Sequence, residues 1–335
     1  VYMSVYIHGG LRSPIGVLNG QYKHMRPEIL GSQVIDEIIN RYSISHIDGI
    51  FCGNAVGTGG NLGRLMGLMC NLPNYVPAIT VDMQCASALM SIEIAYAHIV
   101  SGIMDFAIAG GIESSSLQPE RVYASGDDRE GAYKVAQFTP QDQSPLAMLE
   151  GAERTIHKHN VTKEDLYPHI IGSHQRASAA LDNPYLQSYI MPITIDGKRC
   201  IDECIRPTMN EKLLSRMKPL LGVDSITNAG NACLTHDGAA FVYLSNKKGP
   251  FKIHSVKPWA GNPQFSPEGA LESTEAILKR TGLTMDDIDV VEWNEAFAII
   301  DVLFDKTYPN HIGKYNLFGG ALAYGHPYGC SGAIL

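Results

Sequence analysis

No stretch of this 335-residue chain stays apolar for the length that a bilayer demands, so a membrane span is not expected and the chain reads as one without a membrane partner. Basic residues are outnumbered, 26 Lys and Arg against 34 Asp and Glu, and they form no stripe; this argues against a nucleic-acid partner and leaves any anionic substrate to find local positive charge. A charged-then-apolar leader is missing from the N-terminus, and the seven cysteines are odd in number and scattered, which together fit a reducing cytoplasm. Cys200 and Cys204 have no second Cys or His pair at zinc-site spacing, so neither a metal nor a tightly bound cofactor is expected. The glycine-rich run Gly53–Gly63 is a poor phosphate cradle: Gly57-x-Gly59 is followed by Leu62 where a dinucleotide fingerprint needs glycine, and no Gly-Lys-Ser/Thr is present.

What is present is ordinary for a globular α/β protein: 45% hydrophobic and 18% charged residues, in a chain long enough to bury about three quarters of its unfolded surface. The length suits about two domains or one large unit. Val1 is not an initiator methionine, and Ile334-Leu335 ends inside an apolar pattern, so both ends are expected to be trimmed.

The organising stretch is Ala78 to Ile92, a short apolar run that turns abruptly into a long apolar helical pattern with Cys85 at the change. Up to Val100 the strongly polar side chains are Glu93 and His98, so this helix should be apolar on nearly all sides and buried. A thiol in its first turn meets free backbone N–H groups and the positive end of the helix dipole, which favour thiolate. Cys85 is therefore a candidate nucleophile; the alternative is a buried structural cysteine.

Around it the pattern reads as strand at Met3–Ile7, helix at Pro27–Tyr42, strand at Gly49–Cys52, helix at Leu62–Cys70 and a continuous apolar strand from Met104 ending at Gly110-Gly111-Ile112-Glu113-Ser114. Strand, helix and strand in succession imply a right-handed βαβ unit. From 117 to 226 Pro, Tyr, Gln, Asp and His increase and long apolar strands vanish, as in an inserted domain, with helices at Ser144–Lys158 and Gly172–Ala180. The apolar strand signal returns after Asn228, followed by a helix at Glu268–Thr281, a strand at Ile288–Trp293 and a helix opened by Asn294. Three units are thus expected: 1–116 with the candidate nucleophile, 117–226 as the insert, and 227–335 repeating the first organisation, incomplete at its C-terminal end.

Seven ordered segments resemble the thiolase family: Gln84-Cys85-Ala86-Ser87-Ala88; Gly110 to Ser114; Ser173 to Ala177; Asp202-Glu203 with Arg206-Pro207; Asn228 to Ala232 with Asp237 to Ala240; Asn294-Glu295-Ala296-Phe297-Ala298; and Gly319-Gly320-Ala321 with Gly325-His326-Pro327 and Ser331-Gly332-Ala333. The resemblance runs from Leu11 to the last residue. It implies a five-layer α-β-α-β-α fold, two βαβαβαββ halves with an inserted loop domain that covers coenzyme A, working as a homodimer or homotetramer. It also implies catalysis by Cys85, His326 and Asn294: Cys85 takes the acyl group from a thioester, His326 moves the thiol proton or donates to an oxyanion, and Asn294 holds a water that helps stabilise an enolate. The implied activity is that of an acetyl-CoA C-acyltransferase or acetyltransferase acting on acyl-CoA, by cleavage of a 3-ketoacyl-CoA or condensation of acetyl-CoA. A thiolase-fold chain-elongating synthase, or an impaired homologue acting as scaffold or acyl carrier, are the alternatives.

The chain departs from the family pattern in places. A Cys-x-Gly turn, which in the family removes or returns the α-proton, has no counterpart before Leu335, and Cys330 is too near His326 to replace it. Where the family often has His-Met-Gly the chain has Ala147-Met148-Leu149, and where it has serine after Asn-Ala the chain has Cys233. On the coenzyme A side the resemblance points to Arg206, Ala229, Cys233, Met148 and Phe297, with a salt bridge to Asp202 or Glu203 as the competing role for Arg206.

Overall fold

The structure is a computed structural model and describes residues 3–140, 144–233 and 235–335. Its first part runs β1 (Tyr6–Arg12), β2 (Gly16–Val17), α1 (Pro27–Arg41), β3 (Gly49–Gly53), α2 (Leu62–Gly67), β4 (Ala78–Val81), α3 (Ser87–Val100) and β5 (Phe106–Ser114). The middle carries two short hairpins, β6 (Arg121–Val122) with β7 (Ala132–Tyr133) and, beyond the helices α4 (Ala147–Lys158), α5 (Lys163–Ala180) and α6 (Pro184–Gln187), β8 (Thr194–Ile195) with β9 (Lys198–Arg199). After α7 (Glu211–Leu214) come β10 (His236–Ser245), β11 (Phe251–Lys252), α8 (Gly269–Thr281), α9 (Ala298–Thr307), α10 (Ala321–Tyr324) and α11 (Ser331–Ile334).

One mixed sheet dominates, in the order β11-β1-β10-β5-β3-β4, with β2 pairing onto β10. The βαβ expectation holds, since β3 pairs in parallel with both β4 and β5. Alternate side chains of its strands serve two covers. Ile50, Cys52, Ile108 and Ile112 pack with α1 through Leu30, Val34, Ile35 and Ile38, whereas Phe51, Ala107 and Ala109 pack with α3 through Ala95 and Ile99. This period of two is why the strands read as continuous apolar runs.

The expectation that α3 is buried all round is not met. Its buried residues, Ser87, Ala88, Ser91, Ala95 and Ile99, are mostly small and form the sheet-facing stripe, while Leu89 on the outer side is half exposed and meets Gly332 of α11. None of the helices is long and apolar enough to cross a membrane among the described residues.

Other boundaries shift for physical reasons. The strand that was to follow Asn228 in the C-terminal unit is β10, and it lies in the middle of the main sheet, antiparallel to β1 and β5; Leu234, just before it, lies outside the described residues. Helix α5 begins well before Gly172 because Thr162 and Asp165 form a capping box, and Pro168 is accommodated inside the helix. Ile288–Trp293 is not a strand among the described residues. A single bridge joins Val291 to Tyr315, and Asn316 clasps Trp293 by accepting from its N–H and donating to its carbonyl. The following helix starts at Ala298 rather than Asn294, since Phe297 is extended and bridges Ala232.

A second core joins the insert to the C-terminal part, with Leu149, Ile156, Leu166 and Ile170 of α4 and α5 against Ile299 and Leu303 of α9. A third packs Trp293, Phe304 and Tyr315 with α8.

Candidate active site

Cys85 sits in a one-turn 3-10 segment, Gln84–Ala86, between β4 and α3. Gln84 has φ of +50°, a left-handed conformation that costs a non-glycine residue about 1 kcal/mol or more. Local bonds hold the turn: Asp82 Oδ1 accepts from Gln84 N at 2.9 Å, Ser87 Oγ accepts from Met83 N at 2.9 Å, and Ser87 Oγ donates to Gln84 O at 2.6 Å. Cys85 is half-buried. Contrary to the thiolate expected from the helix terminus, burial pushes its thiol up to about 12, and the Glu113 carboxylate adds to the shift. The loss of water is the largest cause, and the backbone hydrogen bond that favours the thiolate does not offset it.

Glu113, near the end of β5, is fully buried and is the hub of the site. Its Oε2 accepts from Ala55 N at 3.0 Å and Gly329 N at 2.9 Å; its Oε1 accepts from Asn54 Nδ2 at 2.9 Å and Val56 N at 3.3 Å. One carboxylate thereby joins the loop after β3 to the loop carrying His326. Burial nevertheless raises it to about 7, against the backbone bonds that favour its charge. Glycine is required where these segments meet: a Cβ on Gly111 would lie 1.8 Å from Gly329 O, and one on Gly53 2.3 Å from the same atom and 2.8 Å from Ala88 N. The Gly325–Gly329 loop is thus pressed against the start of α3.

His326 is buried in that loop. Its Nδ1 lies 2.6 Å from Ser331 Oγ, whose own proton goes to Pro327 O at 3.0 Å. Ser331 must then accept, so the network assigns the His326 proton to Nδ1 and leaves Nε2 as a lone-pair acceptor. Asn294 Nδ2 stands 3.2 Å from that Nε2. Desolvation lowers His326 to about 3, so its imidazole is neutral at physiological pH. The Tyr328 ring is 4.9 Å from the His326 ring, and its hydroxyl is within electrostatic reach of Cys85 and Cys233. Asn294 and His326, 32 residues apart, are brought into contact, and Tyr328 stands within reach of both the His326 ring and Cys85.

The coenzyme A candidates divide. Phe297 is buried and Met148 half-buried in the second core, and Cys233 N donates to Ala296 O at 2.8 Å, tying this residue to the Asn294 segment. Cys233 Sγ donates to Ala321 O at 2.9 Å. Ala229 and Arg206 are exposed. Arg206 donates to the carbonyls of Glu203 (2.7 Å) and Ile205 (3.2 Å) and makes no salt bridge with Asp202 or Glu203, whose carboxylates are taken by Arg12 and by the Val17 and Gln21 amides. A largely apolar cleft of 780 Å³ reaches Asn294 and Ser331, with Leu89, Ala321 and Tyr324 among its walls; Cys85 and His326 do not line it.

Sequence reasoning passed over Asn54, Glu113, His236, Asn316 and Ser331 as functional groups. Glu113 and Ser331 lay in quoted segments, but a buried hub is recognisable only once its donors converge; a lone glutamate closing an apolar strand was the available signal.

Two family models cover the chain: the thiolase N-terminal domain matches residues 5–248 and the thiolase C-terminal domain residues 251–335. Among curated proteins, "Putative acetyl-CoA C-acetyltransferase VraB" of Staphylococcus epidermidis is 32% identical over 342 residues, spanning 97% of this chain and 88% of that one. The Staphylococcus aureus protein of the same description is also 32% identical, over 339 residues, 97% of this chain and 89% of its own. Among solved structures, the Bacillus anthracis acetyl-CoA acetyltransferase superposes with a TM-score of 0.91 at 25% identity, covering 99% of this chain and 90% of that one. Human mitochondrial 3-ketoacyl-CoA thiolase in complex with CoA superposes with a TM-score of 0.87 at 26% identity, covering 99% and 89%.

Proposed function

The chain belongs to the thiolase family, with its fold and its thiolase-type acyltransferase function, and from that premise we propose that it moves an acyl group from acyl-CoA onto Cys85 and then to a second acceptor. The activity proposed is that of an acetyl-CoA C-acyltransferase or acetyltransferase: cleavage of acetoacetyl-CoA or another 3-ketoacyl-CoA, or condensation of acetyl-CoA.

The observation that carries this reading is the Asn294 Nδ2 to His326 Nε2 contact at 3.2 Å, in a loop packed on the helix that Cys85 precedes. Cys85 rests as a thiol. Nε2 of His326, with its proton held on Nδ1 against Ser331, accepts the thiol proton as sulfur attacks the thioester carbonyl. The carbonyl electron pair moves to oxygen, where the Asn294 amide and the new Nε2–H are donors. When it returns, the bond to the coenzyme A sulfur breaks, and that sulfur takes the proton from Nε2. Phe297, Met148, Cys233, Ala229 and Arg206 are proposed to border the coenzyme A path, Arg206 toward its anionic end; the exposure of Arg206 supports access to solvent-borne phosphate.

An assembly of two or four copies is part of the proposal. It is supported by β4 standing at the sheet edge, with Leu65, Leu68, Tyr75 and Ile79 exposed around it.

Acetoacetyl-CoA cleavage with added CoA, followed alongside intact-mass detection of acetyl-Cys85, tests the reading. Cys85→Ala should abolish both, and His326→Ala or Asn294→Ala should lower kcat by about 10²- to 10⁴-fold. A CoA-binding protein that neither turns over nor acylates would refute it.

A further inference from the structure

His326 is steered by two anchors outside its own loop. Its bond to Ser331 cannot serve as one, because Ser331 Oγ is tied in turn to Pro327 O and moves with the loop. Glu113 fixes the far end through Gly329 N. The near end is fixed by His236, whose Nδ1 accepts from the backbone N–H of His326 itself at 3.0 Å. His236 is rigidly placed: it is the first residue of β10, it pairs with Val17 of β2, and its carbonyl accepts from Ser115 Oγ at 3.2 Å. Its ring also fills the space beside Gly325, where a Cβ would come within 2.6 Å of Cδ2 and 2.8 Å of Cγ, at a residue with φ of +107°. Cys233 Sγ lies 3.9 Å from the same Nδ1, so the imidazole connects the Cys233 segment with the catalytic loop.

We propose that His236 is a positioning residue for acyl transfer, holding the His326 backbone so that Nε2 points at Asn294. It does so as an acceptor, which requires a neutral ring with its proton on Nε2; burial lowers His236 to about 4, which keeps it in that form. The proposal rests on His326 being the proton acceptor of the reaction, as set out above.

The test compares His236→Leu, which keeps bulk but offers no acceptor, with His236→Asn, whose Oδ1 occupies the place of Nδ1. Hydrogen exchange of the His326 amide is followed together with kcat and KM for acetoacetyl-CoA cleavage. His236→Leu should speed that exchange about tenfold or more and lower kcat about tenfold, with KM changed by less than about twofold; the size is that of one ordinary hydrogen bond. His236→Asn should restore most of both. Unchanged exchange in His236→Leu, or equal impairment of the two variants, overturns the proposal. If His236→Leu fails to fold, His236→Asn decides alone: near wild-type exchange and kcat support the anchor, and a folded but impaired protein overturns it. Absence of turnover in the wild type would count against the proposed reaction, and the exchange measurement would still decide whether His236 is the anchor.

Discussion

Replacing Glu113 by glutamine separates the two opposing forces on this buried carboxylate. Its four contacts are all donors: Ala55 N, Val56 N, Gly329 N and Asn54 Nδ2. Relative to the carboxylate, glutamine supplies one oxygen, so two donors keep their acceptor and two face an amide N–H; the protonated acid, with one bare oxygen and an O–H, leaves the donors much the same. Against this, Glu113 carries a cost that glutamine does not. Folding raises its pKa from 4.5 to about 7, so between these values the native state holds a proton that the unfolded chain has released. Stability from this group is complete below 4.5 and is lost as pH rises through 7. The shift corresponds to about 3 kcal/mol. Below pH 7 wild type holds this protonated acid, so Glu113→Gln should lie within about 2 kcal/mol of it at pH 5 and gain on it by up to about 3 kcal/mol by pH 8. Urea unfolding at one fixed protein concentration measures this, because assembly would otherwise enter the comparison. Glu292, also raised to about 7, titrates in both proteins and cancels. A pH dependence identical in wild type and Glu113→Gln would refute the assignment of the titrating proton to Glu113.

Iodoacetamide should label Cys85 ahead of the other six cysteines, with acetyl-CoA protecting it. Cys52, Cys70, Cys200, Cys233 and Cys330 are buried, and half-buried Cys204, its thiol pushed up to about 12, is the nearest competitor; uniform labelling in peptide mapping would remove the nucleophile assignment. Gly53→Ala should cut acyl transfer by about a hundredfold, because its Cβ meets backbone at Gly329 and Ala88 that has no flexible end to yield, while Gly313→Ala, with nothing within 4 Å, should be silent in the same kinetic assay. His326, His236 and His174 have pKa values lowered to about 3, 4 and 4, so they favour the folded state above 6.5 and lose that contribution as pH falls. Because Glu113 and Glu292 act with the opposite sign over the same range, the check is a comparison of melting curves: wild type should lose stability relative to His174→Gln from pH 6.5 to pH 4, and a constant difference would contradict the buried neutral imidazole.

The parts of the fold legible in the sequence were those encoded by local contrast. Phe106–Ser114 and Gly49–Gly53 are apolar on both faces and bounded by turn residues, and Pro27 opens an amphipathic helix, so each could be placed without knowing its neighbours. The Cys85 turn was legible for the same reason, lying where an apolar strand changes to an apolar helix. What depended on distant partners was not. β10 carries a strand pattern, but its position between β1 and β5 is a matter of register across more than 120 residues, on which period-two alternation is silent. Ile288–Trp293 has strand composition too, yet its backbone is satisfied by Asn316 and Lys314 instead of a ladder. Arg206 and His236 show the same limit at the site. An arginine near two acids suggested a salt bridge, while Arg12 from the other end of the chain had taken Asp202; a histidine within a glycine-rich segment gave no sign that it would hold a second histidine 90 residues away.

The electrostatics of the site also bear on the order of events in the proposed reaction. A cysteine paired with a histidine can rest as thiolate and imidazolium only if the surroundings favour two charges, and here they oppose both: desolvation raises the thiol, desolvation lowers the imidazole, and the Glu113 carboxylate adds a like charge beside the prospective thiolate. The pair is therefore neutral at rest. In the acyl transfer proposed for this site, charge separation would become favourable only when the carbonyl oxygen of a bound thioester takes up the electron pair and meets the Asn294 amide, so proton transfer to His326 would accompany attack by sulfur instead of preceding it. A concerted step of that kind would call for the precision given by pinning the loop of His326 at both ends, by His236 at the His326 backbone N–H and by Glu113 at Gly329: a free-standing thiolate would tolerate a mobile base, and a neutral thiol would not.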